Sequence, residues 1–245
     1  PDSYKGTLEA EQVCNIIAGE VKKLCPEAEI LCIPMSDGGE GMCASYISLI
    51  GGESRSLSVI GPKGSTVEAE FGILPDGSAV MEMAACAGLP LMGGELAPLT
   101  ATTYGVGELI MHIASLGCEK LLLGLGGSAT NDCGIGMAAA LGYRFLDAAG
   151  EEVMPLAENL GRVERIAPPE TLTDIRVRAA CDVDNPLCGQ RGAAAVFGPQ
   201  KGLRPEQIAP HNEAMAHFAR VIKRDLGRDV ADIRGAGAAG GLGAG

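Results

Sequence analysis

Between Leu8 and Leu24 the apolar residues Val13, Ile16, Ile17, Val21 and Leu24 recur at the three- and four-residue spacing of one helical face. That spacing predicts a helix over 8–24, with Thr7 as its N-cap. Glu9 and Glu11 fall in the first turn, where carboxylates meet the positive end of the helix dipole. Residues 29–34 read as a short apolar strand, followed by the turn Ser36-Asp37-Gly38-Gly39 and a second helix over 40–50. From Ser54 to Met83 the period shortens to two. Strands are predicted at Leu57–Ile60, Val67–Leu74 and Ala79–Met83, separated by Gly61-Pro62-Lys63-Gly64 and Pro75-Asp76-Gly77, which suit tight turns of an antiparallel module. Beyond it, a helix over 106–116, a strand over 120–125, a helix over 133–141 and a strand over 143–147 restore α/β alternation. A strand at 175–180 and a helix at 205–221 complete the pattern, which contains no internal repeat. The expected class is α/β, with a Rossmann-like part built on a parallel sheet and a second, mixed domain.

Composition narrows the function classes. Hydrophobic residues form 47% of the 245 residues and charged residues 20%, as in folded globular chains, so a disordered or fibrous protein is excluded. A net charge of −12 without a basic run repels nucleic acid and anionic lipid, so neither is an expected partner. No apolar run is long enough to span a membrane. Nine cysteines, none in a C-x-x-C pair, argue against a disulfide framework and a zinc site and fit reduced thiols in a cytoplasmic protein. An acidic protein that binds anions must place its cations locally, which directs attention to Lys5, Arg191, Lys201 and Arg204 in Gly-rich surroundings.

Four polar, Gly-rich segments stand where predicted elements end, the region in which open α/β sheets bind ligands. In Asp2-Ser3-Tyr4-Lys5-Gly6-Thr7, Ser3 and Lys5 precede a helix N-terminus and suit a carboxylate or phosphate; a capped loop explains the same letters. In Ser36-Asp37-Gly38-Gly39-Glu40-Gly41, Asp37 and Glu40 suit Mg²⁺ or a hydroxyl proton, and a tight turn with capping acids is the plain alternative. The third segment runs from Gly124 to Asp132. Its Gly124–Ala129 portion fits G-x-G-x-x-A, with Asp147 about where a ribose-binding acid belongs, so an NAD-dependent dehydrogenase is one reading. Thr130-Asn131-Asp132 argues against it, because the dinucleotide fold packs apolar helix residues there. Hydroxyl, amide and carboxylate together suit a phosphate and its metal. A Walker A pattern is absent. The fourth segment, Asp182-Val183-Asp184-Asn185-Pro186 through Arg191-Gly192, offers two carboxylates for a hard cation and a guanidinium for a bidentate anion contact; an Asx-turn explains it equally well. His112, His211 and His217 lack an adjacent nucleophile and read as structural or surface residues.

Taken in order, these segments resemble the type I glycerate kinase family along essentially the whole chain. The carriers are Pro1–Gly6, Ser36–Gly41, Glu82-Met83-Ala84-Ala85, Thr100–Gly105, Gly126–Asp132, Cys181–Gly192, Phe197-Gly198-Pro199-Gln200-Lys201-Gly202 and Gly235–Gly241. The resemblance implies ATP-dependent phosphorylation of D-glycerate with Mg²⁺, a cytoplasmic role in carbon metabolism, and two α/β domains flanking a cleft. One domain is inserted into the other, with an expected division into 1–53, 54–200 and a return over 201–245. The expected roles are Asp37 as base or metal ligand and Asp182 and Asp184 as Mg²⁺ ligands, with Asp37, Lys5 and Asp182 as the catalytic set. Ser3, Lys5, Arg191 and Lys201 go to substrate anions, and Gly126, Gly127, Ser128, Thr130, Asn131 and Asp132 to phosphate. Family members begin with a strand before Pro-Asp-Ser and continue past the Gly-Ala-Gly-Ala-Ala-Gly-Gly loop, so part of each end is expected to be missing. A flexible tail is expected from Gly235 to Gly245, a homo-oligomer is compatible with the sequence, and a non-catalytic metabolite-binding fragment is the remaining alternative.

Overall fold

The computed structural model describes residues 1–2, 4 and 7–245. Helix α1 spans Ala10–Leu24 and α2 spans Met42–Ile50. Glu9, not Thr7, caps α1, because the Gln12 side chain reaches back and accepts the Glu9 N–H at 2.9 Å, satisfying a donor the helix itself cannot. Ala10, Val13 and Cys14 are buried on α1, whereas Ile16, Ile17, Val21 and Leu24 stay exposed; nothing among the described residues covers that part of the apolar face. The expected strand at 29–34 is not formed. A strand persists only when a neighbour answers its backbone groups, and among the described residues no strand is registered against this segment.

The central sheet contains β1 (Glu53–Ile60), β2 (Thr66–Ile73), β3 (Ala79–Glu82), β4 (Lys120–Gly124) and, after two short strands elsewhere, a last strand at Arg176–Ala180. The β1, β2 and β3 strands form an antiparallel meander with Glu53 opposite Ile73 and Phe71 opposite Met81. From β3 onward pairing is parallel, so the sheet is mixed and the parallel portion lies at one side. Helix α3 (Met83–Ala87) leaves β3 directly, and α4 (Tyr104–Ser115) precedes β4. Period-two alternation divides the sheet residues between two faces. Ala79, Met81, Leu121 and Leu123 pack with Val106, Leu109 and Ile113 of α4, while Val80 and Leu122 face Met42 and Cys43 of α2. Both faces are therefore covered, as parallel strands require.

A second core gathers around α5 (Ile135–Ala140), the antiparallel pair β5 (Arg144–Leu146) and β6 (Arg165–Ala167), α6 (Ala193–Val196) and α7 (Pro205–Leu226), with β7 the name of the Arg176–Ala180 strand. Phe145 and Phe218 meet there with ring centroids 5.9 Å apart. Residues 235–245 are packed, contrary to the expected flexible tail. Ala236, Ala238 and Leu242 are buried, the Gly237 N–H donates to Asn185 O at 3.0 Å, and the Gly240 carbonyl accepts the Cys133 N–H at 3.0 Å. Glycine permits this approach: a Cβ on Gly240 would lie 2.0 Å from the Thr130 carbonyl oxygen. No helix of the described residues is long and apolar enough to cross a membrane.

Two glycines offer opposite tests of packing. A Cβ on Gly126 would fall 2.4 Å from Gly39 Cα, whereas one on Gly19, inside α1, meets nothing within 4 Å. Gly126→Ala should cost about 1–3 kcal/mol through backbone displacement, and Gly19→Ala should add about 0.5–1 kcal/mol through helix propensity. Urea unfolding midpoints of the two variants against wild type measure both.

Candidate functional site

Parallel pairing brings three chain positions into one row. Glu82 stands opposite Gly124, and Gly124 opposite Ala180, so the segments following β3, β4 and β7 leave the sheet side by side at its carboxyl edge. The turn Ser36–Gly41 closes over this row. Its Gly38 carbonyl accepts the Gly126 N–H at 3.1 Å, and a Cβ on Gly124 would lie 2.3 Å from that same oxygen. Within the turn, Asp37 Oδ1 accepts the Gly39 N–H at 2.9 Å, and the Ser36 hydroxyl donates to Gly39 O at 3.3 Å. Two of the sequence motifs are thus welded together, and the Gly126 N–H is engaged with Gly38.

Glu82 is the buried carboxylate of this edge. Its oxygens accept the Gly41 N–H at 3.2 Å and the Cys43 N–H at 2.8 Å, so it caps α2 from outside the helix, where anions are favoured. Burial raises its pKa, and the N–H groups of Cys43 and Gly41 oppose that rise. Glu82, Glu40, Gly41, Ala84 and Gly127 line a cleft of about 740 Å³ that extends to Tyr4, Glu9 and the α1 N-terminus.

Behind Gly127 the turn runs inward. Thr130, Asn131 and Asp132 are each 0% exposed. Asp132 Oδ2 accepts both the N–H of Thr103, at 3.0 Å, and its hydroxyl, at 2.7 Å, while Oδ1 accepts the Gly134 N–H at 3.1 Å. The hydroxyl of Thr103 is oriented for this, since its oxygen accepts the Met137 N–H at 2.9 Å. Burial raises the pKa of Asp132 against these donors. Lys201 Nζ, 3% exposed with its residue, donates to Ser128 Oγ at 2.5 Å and to the Thr130 carbonyl at 2.7 Å. Burial pulls Lys201 down to about 7, with the Asp132 charge pulling it partly back up. His211 Nε2 lies 2.8 Å from the Asn131 carbonyl, an acceptor only, so that nitrogen carries the proton; burial lowers its pKa and favours the neutral ring.

Apart from Asp37 in the turn over the strand ends, the expected site residues therefore divide into three groups. Gly126, Gly127, Ser128, Thr130, Asn131, Asp132 and Lys201 are brought together, but mostly beneath the surface. Asp182, Asp184 and Arg191 lie exposed after β7, where Arg191 donates to Asp184 at 3.0 Å and Arg234 approaches the same carboxylate at 3.6 Å. Ser3 and Lys5 fall outside the described residues. His211, read as structural or surface, is buried against the Asn131 carbonyl, and the sequence assigned no role to Thr103 or Glu82. The only signal for them lay in the motifs Thr100–Gly105 and Glu82–Ala85. The dinucleotide reading fails on geometry: Asp147 follows β5, which pairs antiparallel with β6 in a separate sheet, and its Oδ1 accepts the Ala149 and Glu151 N–H groups of a local turn.

For Mg²⁺, no group of three or more His, Cys, Asp or Glu residues among the described residues forms a dedicated cage. The oxygens of Asp132 are occupied by protein donors, and Asp184 shares its charge with two guanidiniums. Asp37, whose Oδ1 accepts the Gly39 N–H, and Asp182 are exposed carboxylates, and one or two carboxylates suit a cation that keeps its waters and bridges substrate phosphates.

A cleft above the carboxyl ends of parallel strands, floored by glycine turns and edged with carboxylates, defines an α/β small-molecule-binding protein. The profile of the glycerate kinase family matches residues 1–245, and the chain belongs to that family. It is 44% identical over its whole length to a glycerate kinase of Halalkalibacterium halodurans and 43% identical to a glycerate 2-kinase of Escherichia coli K12, covering 66% and 65% of those proteins. A crystal structure provisionally described as glycerate kinase 2 from Salmonella typhimurium LT2 superposes with a TM-score of 0.88 at 42% identity, over 100% of this chain and 67% of that one. The chain spans about two thirds of the length of these relatives.

Lys201 supplies a test by proton linkage. Between pH 7 and its ordinary value of 10.5 the unfolded chain holds a proton on Lys201 that the folded chain releases, so folding is favoured progressively as pH rises through that window. Urea unfolding at pH 7 and pH 9.5 should show wild type gaining stability relative to Lys201→Met. Parallel pH dependences would mean Lys201 keeps its proton when folded.

Proposed function

We propose that the protein, at its full family length, transfers the γ-phosphoryl group of ATP to D-glycerate with Mg²⁺, in the cytoplasm. The observation that carries this is the convergence of the family's polar motifs on one carboxyl edge, where the Ser36–Gly41 turn closes on Gly126. Phosphoryl transfer asks a protein chiefly for positioning and charge neutralisation. Asp37 and Asp182 are the carboxylates suited to hold Mg²⁺, which supplies neutralisation of phosphate charge when bound. Arg191, steered by Asp184, is suited to a substrate carboxylate or phosphate through its planar fork. Its pair with Asp184 is exposed and contributes about 0–1 kcal/mol, so an anion of better geometry displaces it. Asp37 is also the proposed acceptor of the substrate hydroxyl proton, since it stands on the turn covering the strand ends. Gly127 provides the close backbone approach to the cleft. The 2-hydroxyl is the proposed position of transfer, supported by the name of the Escherichia coli relative.

Three measurements on the full-length protein test this reading. Incubation with ATP, Mg²⁺ and D-glycerate should give 2-phosphoglycerate; exclusive 3-phosphoglycerate would refute the assigned position, and no product would refute the activity. Asp37→Asn should lower kcat by about 10²-fold or more with folding intact. Arg191→Lys should raise KM for glycerate or ATP, because a point charge cannot reproduce a two-pronged contact. In Mg²⁺ titrations of ATP binding, Asp182→Asn should shift the requirement upward and Asp184→Asn should shift it less.

A further inference from the structure

The stretch from Ser128 to Cys133 has a conformation its own residues do not favour. Thr130 Oγ1 and both Asn131 side-chain polar atoms are buried with no hydrogen-bond partner among the described residues. Each such atom costs about 1–3 kcal/mol. Cys133 has φ +55° and Ala239, in the loop packed against it, φ +51°, left-handed values that non-glycine residues seldom adopt. A conformation carrying these costs persists only if the surroundings over-determine it. The carbonyls of those same two residues are held from elsewhere, Thr130 O by Lys201 Nζ at 2.7 Å and Asn131 O by His211 Nε2 at 2.8 Å.

We propose that Lys201 and His211 are positioning residues, a two-point clamp that holds the Ser128–Asp132 stretch from beneath. The clamp rests on the reading that this turn serves phosphoryl transfer. Both side chains are too buried to meet a ligand in the cleft, at 3% and 5% exposed. Both come from a part of the chain 71 to 80 residues away, flanking the start of α7, and α7 is seated in the second core through Met215 and Phe218. The turn is thereby referenced to a rigid element rather than to its own backbone. Lys201 also reaches Ser128 Oγ, next to Gly127 in the cleft wall, so a displacement of the clamp is transmitted to the surface that substrate meets.

The test compares His211→Met, His211→Gln, Lys201→Met and Ser128→Ala in the full-length protein, with Lys201→Gln used should Lys201→Met not fold. Glutamine retains an N–H at the position of the imidazole Nε2; methionine removes it. Amide hydrogen exchange of residues 129–134 should accelerate about 10-fold or more in the methionine variants while residues 79–82 and 121–124 keep wild-type protection. The methionine variants should lose about 10²-fold in kcat/KM, mainly in kcat, and His211→Gln should remain within about 3-fold of wild type. Lys201→Met and Ser128→Ala should combine less than additively, as expected when one acts through the other. Unchanged exchange at 129–134 in the methionine variants overturns the proposal, as does full additivity of Lys201→Met with Ser128→Ala. Should wild type transfer no phosphoryl group to glycerate, the activity reading fails on its own and the exchange measurement alone decides the clamp.

Discussion

The approach of two glycine turns across the carboxyl edge of the sheet is the constraint on which the site depends. The Gly38 carbonyl accepts the Gly126 N–H, and side chains at Gly124 or Gly126 would collide with the opposite backbone. Closeness of this kind leaves no room for relaxation, since the clashing atoms are main chain on both sides. It fixes the Asp37 turn relative to the strand ends, beside the cleft lined by Glu40, Glu82 and Gly127.

Beneath that contact the structure accepts a buried cation, a buried carboxylate and unpaired polar atoms. Burial of a charge is costly unless donors or acceptors replace water, and here the replacements are specific: Thr103 and Gly134 for Asp132, Ser128 and Thr130 for Lys201. The balance differs between the two ions. Asp132 has three donors, whereas the ammonium of Lys201 has two neutral acceptors and a carboxylate felt at longer range, so burial brings its proton affinity down to about 7. The polar layer under the turn is consequently sensitive to geometry, and a core of apolar residues would be less so.

Periodic segments were legible in the sequence wherever one neighbour sufficed to define them. The meander β1 to β3 emerged from period-two alternation and its turns, and α4 and α7 from their apolar stripes, with ends shifted by a few residues. The 29–34 segment was misread because apolar run length cannot report whether a pairing strand is present. The Gly-rich tail was misread for a related reason. Glycine content signals freedom in isolation, yet Gly240 is required where the backbone passes within contact of Thr130.

By itself the sequence determined the α/β class and the ordered set of motifs that marks the glycerate kinase family. These are properties of local pattern and of residue order, which need no knowledge of what lies across space. Only the tertiary structure decided which motif residues face the cleft and which lie under it. It separated exposed Asp37 and Asp182 from buried Asp132 and Lys201, gave Glu82, Thr103 and His211 their hydrogen-bond partners, and placed Asp147 in a local turn beside a separate sheet. Parallel pairing across 42 positions from Glu82 to Gly124, and hydrogen bonds spanning as many as 80 positions, produce that division. Burial and partner choice arise from such long-range contacts, and no local window of sequence contains them.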